Sequence, residues 1–136
     1  MIVADTSGLL ALFNRREPLH PRVVELVEEL DEPFVVSPYV VAELDYLVAT
    51  RLGVDAEVAV IRELAGGGYV LPALGADELA AASRIIERYA DQRIGVADAS
   101  LVVLAARYRT RTILTLDRRH FTVLRPLGGG RFRLLP

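Results

Sequence analysis

Short runs of apolar residues alternate along the chain with longer segments whose apolar residues recur at helical spacing. The runs lie at residues 2–4, 34–36, 69–71 and 112–115, and the third is the weakest of them. The helical segments lie at residues 9–13, 21–31, 38–52, 54–64, 76–89 and 96–108. Because parallel strands need a crossover between them, this alternation predicts a mainly parallel sheet with helices on both faces. For residues 121–136 we predict an irregular pair of short extended segments around the glycines at 128–130.

The length of the chain predicts one domain over residues 1–136. Hydrophobic residues make up 52% of the chain, and part of that excess is expected at an interface with a partner or a second subunit. The absence of cysteine excludes disulfides and thiolate metal sites. We expect no signal peptide, because Asp5 interrupts the N-terminus, and no apolar run is long enough to span a membrane. The sequence therefore predicts a soluble, cytoplasmic protein.

Charge is distributed unevenly along the chain, although the net charge is only −2. Residues 1–98 hold 17 acids and eight arginines, whereas residues 99–136 hold eight arginines and one acid, Asp117. A basic segment of this kind suits a phosphate-rich or acidic partner. It is equally typical of solvated arginines in a chain that contains no lysine, and both interpretations stay open.

Four acidic residues fall where the predicted topology would bring them together. Asp5 ends the first strand, Asp117 follows the strand at 112–115, Glu43 lies on the helix leaving the second strand, and Asp98 opens the helix entering the last one. Because the carboxyl ends of parallel strands share one edge of the sheet, we predict that all four meet there. Taken singly, each has an ordinary alternative role as a helix cap, a surface residue, a partner of the helix dipole or a turn residue paired with a neighbouring arginine.

Electrostatic repulsion limits what such a cluster of acids can be. Two carboxylates about 6 Å apart repel by roughly 3 kcal/mol at an effective dielectric constant near 20. The six pairs in a group of four would sum to roughly 17 kcal/mol, which exceeds the stability of a typical domain (about 5–15 kcal/mol). Protonation or a cation must relieve that repulsion, and carboxylate oxygens favour Mg²⁺ or Mn²⁺. The cluster therefore predicts a metal site.

The motifs around these acids resemble the PIN domain family, and more closely the VapC-type toxins of bacterial toxin–antitoxin pairs. The matching segments are Asp5-Thr6-Ser7, Ser37-Pro38 through Glu43-Leu44, Ala97-Asp98-Ala99, Leu114-Thr115-Leu116-Asp117 and the closing run from Phe121 to Pro126. Each motif is short, but their order and spacing cover essentially the whole chain. His120 departs from the family pattern, because many relatives carry an acid before the closing phenylalanine.

The resemblance implies a three-layer α/β/α sandwich with a short, mainly parallel central sheet. It also implies an endoribonuclease that depends on Mg²⁺ or Mn²⁺, with RNA as substrate, a VapB-type antitoxin as partner and a homodimer as the assembly. We expect a water activated by the metal to attack the phosphodiester. Carried over by position, the catalytic and metal-binding acids are Asp5, Glu43, Asp98 and Asp117, supported by Ser7 and Thr115. The candidates for holding the RNA backbone are Arg93, Arg118 and Arg119.

Other functions fit the sequence less well. Phosphoryl-transfer domains that place an aspartate at a strand end normally need a lysine, which this chain lacks. No Gly-Lys-Ser/Thr motif supports a phosphate-binding loop. His20 and His120 stand alone in the sequence, so we expect no zinc site. The alternative that stays open is a non-catalytic PIN-like module that binds RNA or a protein partner.

Overall fold

The computed structural model describes all 136 residues. The strands are β1 (Ile2–Ala4), β2 (Phe34–Val36), β3 (Tyr69–Val70), β4 (Thr112–Leu114) and β5 (Arg133–Leu135). The helices are α1 (Thr6–Phe13), α2 (His20–Leu30), α3 (Pro38–Leu52), α4 (Val54–Ala65), α5 (Ala76–Arg88), α6 (Val96–Arg107) and α7 (Arg118–Val123), with a 3₁₀ turn at Ala90–Gln92. The helices are too short or too polar to cross a membrane.

All five strands are parallel and lie in the order β3-β2-β1-β4-β5. The chain first winds from β1 outward to β3, and then returns to the other side of β1 to form β4 and β5. Because parallel crossovers are right-handed, the helices of the outward and returning paths cover opposite faces of the sheet. The predicted three-layer α/β/α architecture is confirmed. The winding reverses between β1 and β4, and ligands of such sheets bind at the carboxyl ends of the strands beside that reversal.

The core lies on both faces of the central strands. Every residue of β1 and β2 is buried, which explains why their sequences are continuously apolar instead of alternating. Helix α6 is buried at each position from Ala99 to Ala105, as its apolar sequence predicts. Each large side chain that is fully removed from water in this core contributes roughly 1.5–3 kcal/mol relative to an exposed position.

Gly8 allows α1 to approach β4 closely. A Cβ atom at this position would lie 2.7 Å from both the carbonyl oxygen and the Cγ atom of Leu114. No side chain larger than hydrogen fits there without a shift of the backbone. The close approach brings the first turn of α1, including Ser7, against the loop that follows β4.

The prediction for the C-terminal segment is half wrong. Arg118–Val123 forms the short helix α7, where we predicted extended chain from residue 121. The side chain of Asp117 accepts a hydrogen bond from the backbone N–H of Arg119 and thereby caps this helix. The second predicted extended segment is present as β5, which pairs with β4.

Candidate active site

Asp5 is fixed at the carboxyl end of the central strand. Its backbone N–H donates to the carbonyl of Leu114 at 2.9 Å, which ties the end of β1 to the end of β4. The residue stands at the N-cap position of α1, but its side chain makes no capping hydrogen bond. It is only 6% exposed. A buried carboxylate that does not cap the adjacent helix needs another source of stabilisation.

Two hydroxyl groups provide part of that stabilisation. Ser7 Oγ donates to Asp5 Oδ2 at 2.7 Å, and Thr115 Oγ1 donates to the same oxygen at 2.8 Å. Each hydroxyl has one proton, so both act as acceptors towards the loop after β4. The N–H of Leu116 donates to Ser7 Oγ at 2.9 Å, and that of Asp117 donates to Thr115 Oγ1 at 3.0 Å. The two hydroxyls therefore fix Asp5 and the loop carrying Asp117 in one network.

Asp98 faces the same region from the first turn of α6, where it is paired with His120. The Nδ1 atom of His120 lies 2.7 Å from Asp98 Oδ2, and the two side chains are 15% and 18% exposed. An ionised carboxylate only accepts hydrogen bonds, so Nδ1 carries the proton in this pair. Burial, followed by repulsion from Asp5, raises the pKa of Asp98 to about 6, although His120 acts in the opposite direction. Repulsion from Glu43 raises this pKa further, so three of the four acids influence one another.

A buried pair of serines connects the helices that carry Glu43 and Asp98. Ser37 Oγ accepts a hydrogen bond from Tyr39 N at the start of α3 and lies 2.7 Å from Ser100 Oγ on α6. Ser100 Oγ in turn donates to the carbonyl of Ala97 at 2.6 Å. The Ser37 proton is thus available for Ser100, and the beginning of α3 is fixed against the beginning of α6. Both acids sit within two turns of this connection.

Glu43 and Asp117 are held less firmly than Asp5 and Asp98. Glu43 is exposed on α3 and forms no ion pair. The Asp117 side chain is 41% exposed, caps α7 through Oδ1, and has Oδ2 3.9 Å from a guanidinium nitrogen of Arg119. Asp117 therefore has the contacts of a helix cap beside an arginine, and it also lines the same cavity as the other three acids.

All four predicted acids line one cavity of about 300 Å³, which we call the acidic cavity. Its remaining lining is Thr6, Ser7, Leu10, Leu47, Arg51, Gly95, Ala97 and His120. The carboxylates surround this space without converging on one point, since no three acidic or histidine side chains are placed to ligate a single ion together. The repulsion of about 17 kcal/mol expected from four clustered acids is therefore an overestimate: His120 compensates Asp98, and solvent and Arg119 screen Asp117.

The donor set of the acidic cavity fits a hydrated divalent cation. Mg²⁺ usually keeps several waters and is held by one or two carboxylates, so a site need not present a full cage of protein ligands. Asp5, which is buried, and Asp98, whose side chain is 18% exposed, meet that requirement. The hydroxyl of Thr6, which also lines the cavity, is the one buried side-chain oxygen or nitrogen with no hydrogen-bond partner in the chain. An unpaired polar atom beside acids indicates a place where water or a ligand oxygen belongs.

The predicted arginines do not line the acidic cavity, whereas two residues that we did not predict do. Arg93 and Arg119 lie on the exposed surface, and Arg118 lines a separate cavity. Arg51 lines the acidic cavity instead, and His120, which we predicted to stand alone, pairs with Asp98. Arg51 follows Glu43 by eight residues and so shares its face of α3, a spacing that could have been read from the sequence.

The strand order and the acidic cavity beside its reversal define an α/β domain with an acidic site at the carboxyl ends of its strands. The chain belongs to the PIN domain family, whose model matches residues 2–125. Over 135 residues it is 64% identical to Ribonuclease VapC26 of Mycobacterium tuberculosis (strain ATCC 25618 / H37Rv), an alignment that covers 99% of this chain and 100% of that protein. The family resemblance stated from the motifs is confirmed.

Solved structures share the fold at low sequence identity. The crystal structure of Mycobacterium tuberculosis VapC20, described as a Sarcin-Ricin loop cleaving toxin, matches with a TM-score of 0.80 and 21% identity, covering 86% of this chain and 90% of that chain. VapBC2 from Rickettsia felis, bound to a DNA fragment from its promoter, matches with a TM-score of 0.71 and 16% identity over 100% of both chains. A toxin–antitoxin complex from Klebsiella pneumoniae matches with a TM-score of 0.69 and 14% identity, covering 100% of this chain and 97% of that chain.

Proposed function

We propose that this chain is an endoribonuclease that hydrolyses RNA phosphodiester bonds with a divalent metal ion, and that it is the toxin of a VapBC-type toxin–antitoxin pair. The observation that carries the proposal is 64% identity, over the whole chain, to a protein named as a VapC ribonuclease. The acidic cavity at the reversal of the sheet supports it independently, because it supplies the oxygen ligands that such chemistry requires. PIN-domain ribonucleases generally use divalent metal ions.

Asp5 and Asp98 are the acids that would hold the ion, because both are mostly shielded from solvent and each is fixed by a hydrogen bond. Glu43 and Asp117 complete the acidic set from the more exposed side of the cavity. Mg²⁺ is the ion we propose, with Mn²⁺ as a possible substitute, because all the donors are oxygen atoms. A bound ion of this kind relieves charge on the phosphoryl oxygens and makes water a better nucleophile.

The remaining residues of the site position these acids and receive the substrate. Ser7 and Thr115 keep Oδ2 of Asp5 occupied, which leaves its other oxygen for an ion. His120 orients the Asp98 carboxylate in the same way. Arg51, the one arginine that lines the acidic cavity, is placed to contact a phosphate that enters it.

A partner and an assembly follow from the same proposal. We infer that a VapB-type antitoxin binds this chain and blocks the acidic cavity, and that the chain forms a homodimer. The exposed apolar side chains of Tyr46, Val54, Val58 and Ile61 on α3 and α4 support the presence of a protein interface. Size-exclusion chromatography with light scattering would measure the assembly directly.

Cleavage of RNA by the purified chain tests the central proposal. Total bacterial RNA is incubated with the wild-type chain in Mg²⁺, in Mn²⁺ and in EDTA, and with Asp5→Asn in Mg²⁺. We expect discrete cleavage products only in the presence of metal, and a loss of at least about 100-fold in rate for Asp5→Asn, because that change removes the charge of a metal ligand. Sequencing the new RNA ends identifies the cut site.

The control is Asp91→Asn, which makes the same chemical change at an exposed residue outside the cavity. It should cleave at the wild-type rate, and circular dichroism should show that all variants are folded. If folded wild-type protein binds RNA but leaves it intact in both metals, the chain is a binding module and the nuclease proposal is wrong.

A further inference from the structure

Helix α7 separates two cavities of opposite charge. Asp117 and His120 line the acidic cavity, whereas their chain neighbours Arg118 and Phe121 line a second cavity of about 240 Å³. We call the second one the arginine pocket. It is lined by Arg118, Phe121, Thr122, Arg125, Arg131, Phe132 and Leu134. Because consecutive residues of a helix point about 100° apart, the two cavities open on adjacent faces of α7.

The arginine pocket gathers positive charge, and no acidic side chain balances it. Three arginines line it, no acidic residue does, and none of the three forms an ion pair with an acidic side chain. The arginines that do have acidic partners, Arg22, Arg107 and Arg119, lie elsewhere on the surface. Three guanidinium groups around one small cavity repel one another, and an anion placed among them would remove that repulsion.

Contacts with main-chain oxygens hold two of the guanidinium groups in place while leaving donors free. Arg118 donates to an oxygen of Pro136, the last residue of the sequence, and Arg125 donates to the carbonyl of Thr122 at 2.8 Å. A guanidinium group has five N–H donors, so each of these arginines keeps several for a ligand. This arrangement suits the oxygens of a phosphate, which guanidinium groups bind through paired hydrogen bonds.

The floor of the pocket is apolar and firmly packed. The rings of Phe121 and Phe132 meet edge to face, with centroids 6.3 Å apart, and they are 2% and 9% exposed. An apolar floor lowers the local dielectric constant and therefore strengthens ion pairing above it. It also fixes the backbone positions from which the arginines extend.

We propose that the arginine pocket binds a backbone phosphate of the RNA strand that enters the acidic cavity. This inference rests on the proposed ribonuclease function, because it assigns the strand crossing α7 to the substrate. An acidic peptide would also match the charge of the pocket, but the position of the pocket on the face of α7 next to the acids favours an RNA strand that enters the acidic cavity. The pocket thus holds RNA in register by its backbone, without reading its sequence.

Binding measured without cleavage tests the proposal. The RNA is a short fluorescein-labelled single strand, the protein carries Asp5→Asn, and the buffer contains EDTA. We compare this protein with one that also carries Arg118→Gln, Arg125→Gln and Arg131→Gln, and with a control that instead carries Arg84→Gln on the exposed surface of α5. Fluorescence anisotropy over a range of salt concentrations gives the affinity and its salt dependence.

We expect the triple substitution to weaken RNA binding by at least about tenfold at low salt. It should also make the slope of log affinity against log salt shallower by about 0.7, the value for one phosphate contact on a single strand. The control should match the parent protein in both quantities. An unchanged slope and affinity, with the triple variant folded by circular dichroism, would overturn the proposal. The same titration is repeated with a labelled acidic peptide. If the triple variant loses affinity for this peptide but binds RNA as tightly as its parent, the proposal is also wrong.

A cleavage assay distinguishes this proposal from the one on which it rests. The three arginine substitutions are introduced into the chain that keeps Asp5, and its RNA cleavage is compared with that of the wild-type chain. If wild-type protein cuts RNA and the arginine variant binds and cuts equally well, the pocket assignment is wrong and the nuclease stands. If no protein cuts RNA but the arginine variant loses RNA binding and salt dependence, the pocket binds RNA and the nuclease proposal is wrong.

Discussion

Replacing Asp98 by asparagine should remove activity and yet stabilise the metal-free protein. The pKa of Asp98 is raised from 3.8 to about 6 in the folded chain, chiefly by burial and by the charge of Asp5. The folded state therefore holds this proton more tightly than the unfolded state does. By linkage, the ionised carboxylate lowers the stability of the fold at pH values above about 6, and this penalty disappears as the pH falls towards 4.

The size of the effect follows from the difference between the two pKa values. A rise from 3.8 to about 6 corresponds to at most about 3 kcal/mol at neutral pH. The side chain is 18% exposed, and an asparagine would accept a weaker hydrogen bond from His120, so part of this gain is lost. We expect Asp98→Asn to raise the free energy of unfolding by about 1–2 kcal/mol at pH 7.5, and by close to zero at pH 4.

Urea unfolding in EDTA at pH 4 and pH 7.5 measures both values, and Asp91→Asn is the matched control at an exposed aspartate. Addition of Mg²⁺ should then stabilise the wild-type chain and leave Asp98→Asn unchanged, because a ligand that binds only the folded state stabilises it. A variant that is no more stable than wild type at pH 7.5, or that gains equally at both pH values, would refute the reasoning.

Three further substitutions test the contacts around the site. Gly8→Ala should lower the free energy of unfolding, measured in urea, by about 1–2 kcal/mol. The new Cβ would clash with the Leu114 carbonyl, and this clash outweighs the better helix propensity of alanine. Unchanged stability would contradict the close approach of α1 to β4. Thr115→Val should lower the free energy of unfolding by about 1–3 kcal/mol and reduce RNA cleavage, because the hydrogen bond to Asp5 is lost. Thr115→Ser keeps the hydroxyl and should retain both stability and cleavage. Equal behaviour of the two variants would exclude a role for the hydroxyl in holding Asp5. His120→Leu should raise the pKa of Asp98 further above about 6, because the imidazole lowers that pKa; a carboxyl NMR titration measures it. His120→Asn can still donate a hydrogen bond and should bring the pKa of Asp98 part of the way back. An unchanged pKa in both variants would contradict the hydrogen bond between His120 and Asp98.

The sequence predicted the elements and the acidic edge because both depend on local patterns and on a general rule of topology. The runs that form β1 and β2 are continuously apolar, and the helices between them have clear periodicity or caps. Once the sheet is parallel, Asp5 and Asp117 must lie at the same edge, and the direction of α6 brings Asp98 there as well. The placement of these side chains therefore required no knowledge of tertiary contacts.

The features that were not predicted depend on contacts across the fold. Helix α7 has six residues, which is too few for periodicity to reveal, and its position is set by the Asp117 cap and by Phe121 packing on Phe132. The pairing of His120 with Asp98 follows from that helix. The charge of the basic segment indicates how many arginines it holds, but not that Arg118 faces away from the acids.

The hydrogen bond between Thr115 and Asp5 joins residues 110 positions apart, and β1 pairs with β4 as well as with β2. During translation the first strand leaves the ribosome long before its second neighbour has been made, so one of its edges stays open while most of the polypeptide is synthesised. The acids are assembled only after the segment containing residues 112–117 has emerged. A nascent molecule of this kind therefore cannot assemble the acidic cavity until its synthesis is nearly finished.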